Sequence, residues 1–113
     1  MYSFFLGRFQ PLHKGHIALL RSVLDTGKKV CVGIKDTEIN DDNPYDVLER
    51  IYMFETEFEE EISSGDMKVI SMPNIDEVCY GRTVGWGIRE IKLDVAIEAI
   101  SGTNIRRENV DNK

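Results

Sequence analysis

Cysteine is scarce in this chain. Cys31 and Cys79 are the two thiols in 113 residues, too far apart in sequence to form a metal-binding pair. That excludes a disulfide framework and a thiolate zinc site; both cysteines lie in apolar, strand-like runs, so buried thiols in a reducing setting are expected. Long hydrophobic runs are lacking too. No segment approaches the roughly 20 apolar residues of a membrane span, and the amino terminus has no basic-then-apolar leader. The expectation is a cytoplasmic protein with no membrane partner. Positive charge is in deficit: 14 Lys and Arg against 20 Asp and Glu leave a formal charge of -6. Such a balance argues against nucleic acid as the main partner. Repeats and low-complexity segments are absent, and the length suits one small domain, residues 1–113, with a genuine core.

The acidic excess is uneven. Much of it falls in residues 36–46 and 55–61, whereas Arg8, His13, Lys14, His16, Arg106 and Arg107 gather near the two ends of the chain. A locally positive site on an acidic body suits an anionic small molecule.

Hydrophobic periodicity predicts a first strand over residues 2–6 and a helix over 17–24 with Gly27 beyond its end. A second strand is expected over 28–35. After the acidic loop 36–43, the spacing predicts a long helix with Asn43 as cap, Pro44 in the first position and Asp46 in the first turn. Its buried stripe is Val47, Leu48, Ile51, Tyr52, Phe54, Phe58 and Ile62, and Gly65 ends it. Residues 67–72 read as a third strand and 75–80 as a fourth strand or a helical turn. Alternation over 89–94 reads as a half-exposed strand, and 101–110 as a short final helix. Strands alternating with helices imply βαβ units, hence a parallel sheet covered by helices on both faces, with ligands at the carboxyl ends of the strands.

The most informative run is Gly7-Arg8-Phe9-Gln10-Pro11-Leu12-His13-Lys14-Gly15-His16, at the turn from the first strand to the first helix. A helix N-terminus offers unpaired N–H groups and partial positive charge, which favour phosphate. Gly7 and Gly15 carry no side chain to keep a ligand from the backbone. His13 and His16, three apart, can share one face of the first turn.

This run resembles the signature of the HxGH nucleotidylyltransferase superfamily, which transfers a nucleoside monophosphate from an NTP and releases pyrophosphate. His13-Lys14-Gly15-His16 fits the tetrad, and the Gly-Arg-Phe-Gln-Pro prefix is similar to the branch that adenylylates nicotinamide mononucleotide. The resemblance implies a Rossmann-like α/β fold. It also implies catalytic roles for His13, His16, Lys14 and Arg106, and nucleotide contacts from Gly7, Arg8, Phe9, Gln10 and Gly15. Attack by an acceptor phosphate needs no serine, cysteine or general base from the protein. Mg²⁺ is expected to come with the NTP, with no dedicated carboxylate cage for it.

Ile100-Ser101-Gly102-Thr103-Asn104-Ile105-Arg106 has hydroxyls and a glycine before a helix, then an arginine one turn on. That is either a plain N-cap or a grip on phosphate oxygens. Its position is similar to the superfamily's second signature, which implies a β,γ-phosphate site at Ser101, Gly102, Thr103 and Arg106. Arg50, in Asn43-Pro44-Tyr45…Glu49-Arg50, is either a solvated face residue or, by resemblance, part of the substrate side of the cleft. Trp86, among Gly81, Gly85 and Gly87, either stacks on a base or nicotinamide ring or closes the sheet edge. Gly81 is assigned to the nucleotide by resemblance, and Arg82, beside that loop, either meets a second phosphate or stays in solvent.

Three activities fit. One is adenylyl transfer from ATP to a phosphorylated small molecule such as nicotinamide mononucleotide. Another is cytidylyl transfer from CTP to a phosphorylated alcohol, and the third is a nucleotide-binding module without turnover. Adenylyltransferases of the resembling branch extend well beyond the second signature, so either a partner subunit covers the site, which makes a homo-oligomer the expectation, or this is a minimal version with a different acceptor.

Overall fold

The computed structural model describes residues 1–79, 81, 82, 85 and 87–91. In chain order it contains β1 (Tyr2–Gly7), α1 (Lys14–Leu24), β2 (Lys29–Lys35), α2 (Val47–Glu57), α3 (Glu59–Ser64) and β3 (Met67–Met72). The three strands form one parallel sheet in the order β1-β2-β3. Phe4 pairs with Cys31 and Leu6 with Gly33, and Val32 pairs with Val69. This is the expected Rossmann-like α/β arrangement.

A right-handed crossover that steps each time in the same direction lays its helices on the same face. The core agrees. Val30, Val32 and Ile34 of the central strand and Met67 of β3 are buried with Leu20 and Val23 of α1, Phe54 of α2 and Phe58. The strand positions of opposite parity form the other face, where Tyr2, Phe4, Leu6 and Ile70 are exposed. The helical cover expected for that face lies outside the described residues. At its centre a Cβ on Gly33 would lie 2.5 Å from Met72 Sδ and 2.7 Å from Phe4 Cζ. The two flanking side chains therefore lean over the bare backbone of β2.

Several local expectations are revised. Helix α1 starts three residues early because His13 serves as its cap. Asp46, not Asn43, caps α2: its carboxylate accepts from Glu49 N at 2.7 Å. Asn43 is engaged instead in a turn with Asn40 and in a bond from Arg8. With α2 starting at Val47, the inward direction runs through Val47, Arg50, Ile51, Phe54 and Phe58, and Leu48 and Tyr52 rotate out to solvent, 73% and 68% exposed. The long helix is broken at Phe58, whose backbone (φ -116, ψ 35) leaves the helical region before α3 begins. Gly65 ends α3 with φ 86, in the left-handed region that glycine tolerates. Residues 75–79 form no strand, and Val78 and Cys79 are exposed, so Cys79 is not the buried thiol its apolar neighbours suggested; Cys31 is half-buried. Arg89, Glu90 and Ile91 are without regular structure. The rest of that expected strand, the final helix, Trp86, Ser101, Gly102, Thr103 and Arg106 lie outside the described residues.

Phe54 is the pivot between layers, fully buried and edge-on to Phe9 with ring centroids 4.9 Å apart. Phe54→Ala is expected to cost about 3–5 kcal/mol of stability, the range for truncating a buried aromatic. The urea midpoint checks this, and a loss below about 1 kcal/mol would show that the core closes over the gap.

Candidate active site

The carboxyl end of β1 runs directly into the histidine turn, where a parallel sheet presents its ligand crevice. His13, in extended conformation (φ -137, ψ 177), caps α1. Its Nδ1 accepts from the Gly15 amide at 3.1 Å, and its own amide donates to His16 Nδ1 at 3.3 Å. The two imidazoles thus cap the helix reciprocally. Each is forced to keep a lone pair on Nδ1, so in its neutral form each carries its proton on Nε2. The rings stack with centroids 3.7 Å apart and planes 23° from parallel. The shared face expected from their spacing is therefore present.

This cap changes the role of the helix N-terminus. The Gly15 amide, expected to be open to phosphate, is bonded to the His13 ring, and Gly15 is buried. What this arrangement can offer an anion is instead the pair of Nε2–H groups, since both Nδ1 atoms are taken by backbone amides. Lys14 points its charge into solvent from an exposed position beside them.

Both histidines hold low pKa values. Burial lowers His13. Burial, and then the proximity of His13, lowers His16 from 6.5 to about 4. Two stacked rings cannot both be charged without water between them. The pair is a set of neutral hydrogen-bond donors at neutral pH.

The preceding turn is built inward. Phe9 takes φ 51, left-handed for a residue with a side chain, and its ring is buried. That ring sits edge-on to both Phe54 and His16, at 4.9 and 4.8 Å. A Cβ on Gly7 would meet the Phe9 ring at 3.0 Å, so the bareness of Gly7 makes room for that ring. Gln10 is also redirected. Its side-chain amide donates to Tyr45 O at 2.9 Å and accepts from Tyr45 N at 3.0 Å, and it is buried. Phe9 and Gln10, assigned to the nucleotide, are packing and clasping groups in this structure. Arg8 donates to Asn43 Oδ1 at 3.2 Å from an exposed position, within the mouth of the turn.

Arg50 shows the largest departure. Expected on the substrate side of a cleft or in solvent, it is fully buried. Its Nη1 donates to the carbonyls of Arg8 at 2.8 Å and Lys35 at 2.7 Å, and its Nε to that of Asp46 at 3.2 Å. Burial lowers its pKa, while Asp36 and Asp46 raise it. Sequence could have flagged it: it is i+3 from Val47 and i−4 from Phe54, on the inward stripe. Gly81 and Arg82 are exposed. A cavity of about 780 Å³ along β1, lined by Tyr2, Phe4, Leu6, Gly87, Ile88 and Ile91 among others, has none of residues 7–16 among its described lining. Among the described residues no three His, Cys, Asp or Glu side chains gather as a metal site, and no helix is long and apolar enough to cross a membrane.

The depressed histidines make a linkage prediction. With folded values below the ordinary 6.5, the unfolded chain binds more protons between about pH 6.5 and 4, so stability falls as pH drops through that window. Urea midpoints are expected to decline more steeply over that range in the wild type than in His16→Gln. Parallel curves for the two chains would contradict a neutral, half-buried His16.

Comparison with known proteins places this geometry. The cytidylyltransferase-like family model matches residues 4–63, the segment from β1 to α3. The nicotinamide-nucleotide adenylyltransferase of Thermococcus sibiricus is 32% identical over 79 residues, 67% of this chain and 42% of that protein. That of Pyrococcus horikoshii is 35% identical over 74 residues, 64% of this chain and 40% of the relative. That of Pyrococcus furiosus is 43% identical over 51 residues, covering 43% of this chain and 27% of the relative. The chain thus spans less than half the length of these relatives. A histidine-capped helix leaving the first strand of a parallel sheet, inside a match covering more than half its length, makes this chain a member of the cytidylyltransferase-like family.

Proposed function

We propose that this chain carries the nucleotide-binding part of an adenylyltransferase. It would move an adenylyl group from ATP to a phosphorylated small molecule, nicotinamide mononucleotide foremost, and release pyrophosphate. The relatives bearing the name nicotinamide-nucleotide adenylyltransferase support that choice of base and acceptor. The observation that carries the reaction class is the reciprocal imidazole cap, which leaves two adjacent Nε2–H donors at the carboxyl end of β1.

The chemistry asks little covalent work of the protein. An anionic oxygen of the acceptor phosphate attacks the α-phosphorus in line. The new O–P bond forms as the bond to the bridging oxygen breaks, and pyrophosphate leaves with that electron pair. Two anions must be brought together, and charge grows on the bridging oxygen. Neutral donors fixed in advance stabilise that charge without reorganising. His16 and His13 supply them. Because Nδ1 of each ring is tied to a backbone amide, the rings stay oriented through the step. Lys14 adds a mobile positive charge to the approaching triphosphate. By resemblance, Ser101, Gly102, Thr103 and Arg106 hold the leaving pyrophosphate and Trp86 the acceptor ring. Mg²⁺ would come with the NTP and would neutralise part of its phosphate charge.

The test is pyrophosphate release from ATP or CTP, with Mg²⁺ and a panel of phosphorylated acceptors. Product is expected with ATP and nicotinamide mononucleotide; product with CTP and a phosphorylated alcohol, or nucleotide binding without product, would overturn the assignment. His16→Ala is expected to lower kcat at least ~100-fold, the scale of losing one transition-state donor, with the fold intact by circular dichroism. Near-full turnover would remove His16 from the mechanism.

A further inference from the structure

We infer that Arg50 is a positioning residue for phosphoryl transfer, holding the backbone of the histidine turn in register with the carboxyl end of β2. The inference rests on the nucleotidyl-transfer reading above and extends it to a residue that is sealed inside the protein. The three carbonyls that Arg50 engages come from three segments: Arg8 in the turn after β1, Lys35 at the end of β2, and Asp46 at the cap of α2. One planar guanidinium thus joins the segments that border the crevice. Arg21, the arginine of the described ion pairs, is by contrast bonded to Glu61 and Glu57 near the surface. Arg50 is buried against carbonyl dipoles, and its Nη2 lacks a hydrogen-bond partner among the described residues.

Burying a charge on such partners is costly, and an apolar side chain of similar volume would fill the same space more cheaply. A purely structural account leaves that cost without a purpose. A positioning role supplies one, because the Arg8 carbonyl belongs to the peptide that leads into Phe9. Phe9 is held in its left-handed conformation with its ring between Phe54 and His16. A shift of the Arg8 carbonyl therefore shifts Phe9, and Phe9 abuts one of the two donor rings. Arg50 acts through this chain, at one remove from the substrate. Lysine cannot replace it: a single ammonium could meet the carbonyls of Arg8 and Lys35, as Nη1 does, but lacks the second, fixed nitrogen by which Nε holds the carbonyl of Asp46.

The test compares wild type with Arg50→Lys and Arg50→Gln in the ATP and nicotinamide mononucleotide assay, below the melting temperature of each and with activity expressed per folded molecule. Positioning predicts that kcat falls about 10- to 100-fold, the scale of a small misplacement of reacting groups, while KM for ATP moves by less than about threefold. A merely structural Arg50 would lower the melting temperature and leave kcat per folded molecule within twofold, and that result overturns the inference. Should neither variant fold, nitrogen-15 NMR of arginine-labelled wild type decides. The Arg50 Nε–H resonance is expected to shift on saturation with tripolyphosphate while that of Arg21 stays put, and an unmoved Arg50 signal at saturation overturns the inference. A wild type that neither binds tripolyphosphate nor turns over is a different result: it sinks the nucleotidyl-transfer reading first and this inference with it.

Discussion

The first turn of α1 is the constraint on which the site depends. A helix start leaves amides without intrahelical partners, and here the side chains that satisfy two of the local amides are the imidazoles themselves. One arrangement therefore does three things. It terminates the helix, it settles which ring nitrogen keeps its proton, and it stacks the rings in a setting where burial disfavours protonating either. A serine or aspartate would cap as well. Neither would place a ring N–H at the mouth of the crevice.

Around that turn the protein works from the inside outward. Phe54 supports Phe9, Phe9 supports His16, and Arg50 and Gln10 tie the same turn to β2 and to Tyr45. Arg21 closes the far side of the helical layer, lying 4.7 Å over the Phe58 ring and paired with Glu61 at 2.7 Å. That exposed pair adds little by itself, but it orders a surface otherwise crowded with acidic residues.

Much of this was legible in the sequence, and the limits are instructive. β3 falls at the expected residues and β1 and β2 within one, because short apolar runs rich in aromatic (β1) or β-branched (β2, β3) residues and bounded by glycine or proline leave few alternatives. The histidine pair was legible because a spacing of three has one geometric meaning on a helix. Gln10, Phe9 and Arg50 read from the sequence as site residues, but their partners are not legible there. Gln10 and Arg50 bind backbone carbonyls and one backbone amide, which every residue carries and no sequence displays, and Phe9 packs on rings distant in the chain or across the turn. Leu48 and Tyr52 were misplaced for a related reason: shifting the cap from Asn43 to Asp46 rotates the helix, and Asn43 was already committed to Asn40 and Arg8. Residues 75–79 carry Ile75, Val78 and Cys79 and read equally as a strand or a helical turn, yet apolar content cannot reveal whether a neighbouring strand offers a ladder.

The neutrality of the imidazole pair has a consequence for how the crevice senses its surroundings. Mobile ions screen fixed charges over roughly 10 Å at moderate salt, and they weaken attraction by lysine or arginine accordingly. A donor that works as an oriented dipole at contact range presents no net charge for those ions to gather around. On the proposed reading, Arg8 and Lys14, exposed at the rim, would draw an anion in from a distance and surrender that pull as the solution becomes more saline. The paired rings would act only once it has arrived, and would keep their grip in brine.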